Sequence, residues 1–154
     1  MAYDVERPEN VGSLFRLADA LGVERLHLLG RTVAPPHPKL RRVARATERV
    51  VPFEHAPDGL TALDALGELG FVRVALELTS QSEDVRSLEA LDAPRIALVL
   101  GGERHGIPPE ALARCERAVH VPMCGLGTSM NVVSAAAIAL FAAGRRFYPQ
   151  PPVS

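Results

Sequence analysis

Short runs of Val, Leu and Ile alternate along this chain with segments of helical period, and no other feature restricts the fold as much. Repetition of strand-type run and amphipathic segment builds an α/β domain: a mainly parallel sheet of about six strands with helices on both faces. The strands are expected near 2–5, 26–29, 50–53, 72–76, 96–100 and 119–121. Val11, Leu14, Phe15, Ala18 and Leu21 recur at helical spacing, so 10–21 reads as a helix that ends at Gly22. Further helices are expected over 38–47, over 59–69, from the Pro108–Pro109 pair onward, and over the alanine-rich 129–146.

A chain of 154 residues fits one domain, read as 1–147 with a flexible tail at 148–154, and 47% hydrophobic residues fill its core. The longest apolar stretch, 135–143, is nine residues, against the roughly 18 that would span a bilayer. With no basic, apolar leader at the N-terminus either, the expectation is a cytoplasmic protein without a membrane segment. Two cysteines, Cys115 and Cys124, and five dispersed histidines offer no ligand spacing, so no metal is expected. The net charge is −1, yet residues 31–55 hold six cations against two anions. Such a run is either a solvated helix face or a dock for something negative.

Three loops could carry chemistry. Gly101-Gly102-Glu103-Arg104-His105-Gly106 follows a buried strand, where ligands bind in α/β folds. Glu103 stands where a dinucleotide fingerprint requires glycine, which disfavours pyrophosphate and leaves either a plain turn or a loop that presses against a less anionic ligand. Residues 121–131 run from a strand end through two glycines to a helix start, with Thr128 or Ser129 able to cap it and Asn131 in its first turn. The third loop, 9–16, places Asn10 at a helix start and Arg16 about a turn and a half later.

Taken together and in order, these loops resemble the three motifs of the SpoU (TrmH-like) branch of the SPOUT RNA methyltransferases. The first is N-V-G-S-L-F-R-L-A-D-A-L-G at 10–22 and the second L-V-L-G-G-E-R-H-G-I at 98–107. The third is V-P-M at 121–123 with S-M-N-V-V-S-A-A-A at 129–137, and V-A-R-A-T-E-R-V-V-P-F at 43–53 is similar to the family's connecting segment. The resemblance implies methyl transfer from S-adenosylmethionine to a ribose 2′-hydroxyl in tRNA or rRNA. It also implies a homodimer with a deep C-terminal trefoil knot, an exception to the rule that chains do not thread loops.

By the same resemblance, Leu78, Gly101, Val121 and Ser129 line the cofactor pocket, with Gly102, Met123, Leu126 and Met130 beside them. Asn10, Arg16, Glu103, Ser129 and Asn131 form the catalytic set. A guanidinium is effectively never deprotonated in a protein. Arg16 is therefore expected to hold a phosphate and stabilise developing alkoxide charge rather than to act as a literal base. The basic segment becomes an RNA-docking surface of Arg31, Lys39, Arg41, Arg42 and Arg45, and the alanine-rich final helix a subunit interface. Many relatives carry an N-terminal RNA-binding domain that this sequence does not show, which favours tRNA over rRNA. The competing expectations are a non-catalytic RNA-binding member of the fold and an unrelated α/β nucleotide-binding enzyme.

Overall fold

The computed structural model describes residues 1–127 and 129–145. Seven strands, β1 (Ala2–Tyr3), β2 (Leu26–Leu29), β3 (Phe53–Ala56), β4 (Val72–Leu76), β5 (Glu83–Asp84), β6 (Ile96–Leu100) and β7 (Arg117–His120), form one sheet in the order β3-β2-β1-β6-β4-β7-β5. Every pairing is parallel. Four helices lie between strands, α1 (Pro8–Ala20), α2 (Pro38–Ala44), α3 (Gly59–Glu68) and α4 (Pro109–Leu112), and α5 (Val132–Gly144) follows the last strand. Strand side chains alternate between faces. Leu28, Val74, Leu98 and Leu100 pack with α1, α2 and α5 on one side, and Leu29, Ala75, Ala97 and Val99 with α3 and α4 on the other.

Three strands lie where the sequence places them, and the others differ for local reasons. β3 begins at 53, not 50, because a 3-10 turn at Thr47–Arg49 draws the Val50 and Val51 N–H groups to the Thr47 carbonyl. Val50 is left 68% exposed, and pairing starts at Phe53 opposite Leu26. β5 is an unexpected seventh strand. Glu83 and Asp84 carry no apolar signal, and they pair with β7 aided by an Arg117–Glu83 ion pair at 2.5 Å and a Ser82–His120 contact at 3.0 Å.

β1 ends at Tyr3 rather than residue 5 because Asp4 turns into the left-handed region, φ 55°, and β7 covers 117–120 rather than 119–121. The expected helix at 38–47 ends at Ala44, where Arg45 and Ala46 take positive φ. α1 starts at Pro8 and leaves at Leu21 into Gly22, φ 65°. The final helix begins at Val132, and its cap is Asn131 rather than Ser129. Thr128, Arg146 and the tail 148–154 lie outside the described residues. No helix of the described residues is long and apolar enough to cross a membrane.

Candidate active site

The site lies where the strand order reverses. Strands β2 and β3 extend to one side of β1, while β6, β4, β7 and β5 lie on the other, so the loops leaving β1 and β6 diverge around a crevice. The loop after β6 closes tightly: Gly102 N–H donates to the Gly106 carbonyl at 3.2 Å, and Gly106 N–H to the Gly102 carbonyl at 3.0 Å. A Cβ at 101 would overlap the Gly106–Ile107 backbone, and one at 102 would overlap the Asp4 backbone. These glycines are thus required by the chain's own close approaches before any ligand is considered.

That closure presents Glu103 to the start of α1. Its carboxylate accepts from the N–H groups of Glu6 (3.1 Å) and Arg7 (3.2 Å) and from Asn10 Nδ2 (2.7 Å). Asn10 Oδ1 in turn accepts from Asn131 Nδ2 at 3.2 Å, and Asn131 Oδ1 accepts from the N–H groups of Val133 (2.9 Å) and Ser134 (3.4 Å) at the head of α5. One relay therefore joins all three motif loops. Burial pushes the Glu103 carboxyl up, but the hydrogen bonds from Asn10, Glu6 and Arg7 outweigh it and hold the group below the ordinary carboxylate range. An acceptor held ionised by three donors suits organising the loops better than carrying protons.

Arg16 stands apart. Six residues of helix separate it from Asn10, about 9 Å along the axis and ~120° around it. It is exposed, and among the described residues it has no ion-pair or hydrogen-bond partner. Ser129 is exposed in the segment leading to Asn131. Asn10, Glu103 and Asn131 are thus brought together within one chain, and Arg16 is not brought to them.

The eight pocket residues carried by the resemblance come from the ends of three adjacent strands. Leu78 follows β4, Gly101 and Gly102 follow β6, and Val121, Met123, Leu126, Ser129 and Met130 follow β7. None is charged, and Leu78 (61%), Met123 (38%), Leu126 (105%) and Met130 (38%) leave apolar surface open. An adenosine needs apolar faces, and a sulfonium needs a lining free of cations, so the set fits S-adenosylmethionine. Among the described residues no group of three or more His, Cys, Asp or Glu converges to hold a metal. Burial pushes the Cys115 thiol up to about 11, which makes it a poor nucleophile.

Of the basic residues, Lys39, Arg41, Arg42 and Arg45 are exposed on α2 and its C-terminal turn. α2 packs against α1 at Gly12, which places this cationic face beside the helix that carries Arg16. Arg31 is also exposed, but its guanidinium lies 3.3 Å from Asp4 and 3.0 Å from Glu6. Sequence reasoning missed Asp4, whose carboxylate accepts the Arg31 N–H at 2.7 Å, and Glu77, directly after β4. The signal available for both was an acid placed at the carboxyl end of a strand.

Comparison with known proteins points the same way. The model of the SpoU rRNA Methylase family matches residues 1–141. The tRNA (guanosine(18)-2′-O)-methyltransferase of Thermus thermophilus is 33% identical over 144 residues, covering 93% of this chain and 72% of that protein. An AdoMet-bound rRNA methyltransferase from Sinorhizobium meliloti superposes with a TM-score of 0.89 at 27% identity, over 96% of this chain and 56% of that one. A structure concerned with 2-OH methylation of C/U34 on tRNA gives a TM-score of 0.80 at 28% identity, over 95% of this chain and 93% of that one.

Proposed function

The chain belongs to the SpoU rRNA Methylase family, and on that premise we propose that it methylates a ribose 2′-hydroxyl of RNA with S-adenosylmethionine as donor, and that the RNA is tRNA. The relay Glu103–Asn10–Asn131 carries the proposal, because it ties together the three motif loops, which follow β6, β1 and β7. The choice of tRNA is supported by the Thermus relative, and by a tRNA-methylation structure of which this chain covers 93%.

Leu78, Gly101, Val121 and Met130, with their neighbours, would hold the donor, which supplies an electrophilic methyl carbon. The protein's part is alignment, and alignment is worth much in a displacement of this kind. The ribose oxygen gains negative character as it loses its proton. Arg16 stays protonated throughout, so it holds the adjacent phosphate and stabilises that charge, while the phosphate or a water takes the proton. Asn10, Glu103 and Asn131 fix the loops around the reacting atoms, and Ser129 positions the hydroxyl. Lys39, Arg41, Arg42 and Arg45 dock the RNA through phosphates; Arg31 joins them only by exchanging Asp4 and Glu6 for phosphate.

The working form is a homodimer located in the cytoplasm. Arg16, turned away from its own chain's relay, then faces the pocket of the partner, and α5 supplies the contact. The chain beyond β7 follows a knotted course. In support, β7 is the last strand yet lies inside the sheet, and beyond it Asn131 hydrogen-bonds back to Asn10 near the start of α1.

Incubation with methyl-labelled S-adenosylmethionine and separated tRNA and rRNA tests the proposal. Label in tRNA that maps to one 2′-O-methyl nucleotide is the expected result. Label in rRNA alone would overturn the choice of RNA, and no label in either, with calorimetry showing no donor binding, would overturn the activity.

A further inference from the structure

Glu77 is the acid that the relay does not use. It is the first residue after β4, and its own N–H completes the β4–β7 ladder by donating to the Val119 carbonyl at 2.9 Å. Its half-buried carboxylate then reaches two ways. Oε1 accepts from the Leu78 N–H at 3.2 Å, and Oε2 accepts from the Ile107 N–H at 2.9 Å, across to the far end of the glycine hairpin. The hairpin is shaped around it: a Cβ at Gly106, which sits at φ +65°, would overlap Glu77 Oε2.

We propose that Glu77 is a positioning residue that sets the gap between Leu78 and the Gly101–Gly106 hairpin, and so the width of the cleft that grips the adenosine of the methyl donor. This rests on the cofactor reading given above. The physical basis is that Leu78 and Gly101 lie on loops with no direct hydrogen bond between them among the described residues, and the carboxylate bridges those loops. The carboxylate gives each N–H group an oxygen of its own, whereas a Gln in the same pose has one oxygen and would turn its NH₂ toward one of the two N–H groups. Glu77 touches neither donor nor RNA in this scheme. It acts through the two loops.

Glu77→Ala and Glu77→Gln test it. Titration of wild-type protein with S-adenosylmethionine comes first, and an absence of binding there would remove the cofactor reading and this proposal with it. Given wild-type binding, Glu77→Ala is expected to raise the donor KM about ten-fold, the loss of charge-assisted hydrogen bonds. kcat at saturating donor and the RNA Kd should change less than about two-fold, because uniform binding is what is lost. Glu77→Gln should fall between, since it retains one bond. Amide hydrogen exchange should speed up at both Leu78 and Ile107 in Glu77→Ala and at one of the two in Glu77→Gln, which reads the bridge without any ligand. A donor KM within two-fold of wild type in both variants, or a fall in kcat with KM unchanged, would overturn the proposal. If Glu77→Ala fails to fold, Glu77→Gln alone decides by the same KM and exchange criteria.

Discussion

At the scale of the residue, Asn10 has a single workable orientation: its N–H₂ must face a carboxylate, so its oxygen must face the amide of Asn131. The ionisation of Glu103 therefore sets the direction of the whole relay. Its folded pKa is depressed, so the stability it contributes is complete above the unfolded carboxyl pKa, ~4.3, and is lost as pH falls through the lower folded value. Other lowered carboxyls, among them Asp84 at about 2, titrate in the same direction, but they are common to wild type and variant. The Tm gap between wild type and Glu103→Gln is thus expected to be widest near pH 6 and to narrow toward pH 3. A gap independent of pH would show that Glu103 is not held as an anion.

Arg16 should behave in the opposite way. Exposed and without a partner among the described residues, it contributes little to folding, so Arg16→Ala is expected to shift stability by less than about 0.5 kcal/mol. Methyl transfer should nevertheless fall by roughly 10²–10³, the usual loss on removing one charge-stabilising group. Arg16→Lys should recover only a minor part of the turnover, because it keeps charge but loses the two-pronged fork. Thermal melts beside steady-state kinetics check both statements.

Among elements, the junction of α1 and α2 is set by one missing side chain. An added Cβ at Gly12 would sit 2.6 Å from the Leu40 carbonyl oxygen and 3.0 Å from Val43 Cβ. Two effects compete in Gly12→Ala. Helix propensity favours Ala by about 1 kcal/mol, while overlap with the backbone of a packed neighbour costs about 1–3 kcal/mol. The carbonyl cannot rotate away as a side chain would, so overlap prevails and Tm should fall by several degrees, at ~2–4 °C per kcal/mol for a domain of this size. A Tm equal to or above wild type would mean that the helices part without cost.

The same scale shows what the sequence could and could not disclose. The runs at 26–29, 72–76 and 96–100 are mostly apolar, with His27 and Arg73 the exceptions, short and bounded by turns, so side-chain pattern specified them. β3 was displaced because Val50 and Val51 have strand-type side chains but their backbone N–H groups are claimed by a 3-10 turn, a preference that side-chain patterning does not carry. β5 was invisible because two acidic residues become a strand only through pairing with β7 and an Arg117 ion pair. Among candidate site residues, the glycine hairpin and Asn131 were legible from their positions at strand end and helix start. The bridge through Glu77 was not, since it joins residues 30 apart in sequence.

The whole molecule leaves α5 with more apolar surface than one chain covers. The helix is apolar along its length except at Ser134, and its buried stripe is Ala136, Ala139 and Ala142, while Ile138 remains 40% exposed. A helix facing water on one side would carry polar residues there, so a second copy is the occupant expected. Ile138→Arg should shift the protein from twice the chain mass to once in sedimentation, and methyl transfer should fall with it. A site shared between the two protomers of the proposed dimer would have a sharper consequence. Arg16→Ala spoils the phosphate contact and Leu78→Asp spoils the donor pocket, so each homodimer is expected to be inactive. If one site takes Arg16 from one protomer and Leu78 from its partner, a mixed dimer pairs both defects in one site and leaves the other intact. Refolding the two variants together in equal amounts should then restore about a quarter of wild-type activity, because half the dimers are mixed and each holds one sound site. If both residues served the same site from one chain, every site in the mixture would carry a defect and the activity would stay at background.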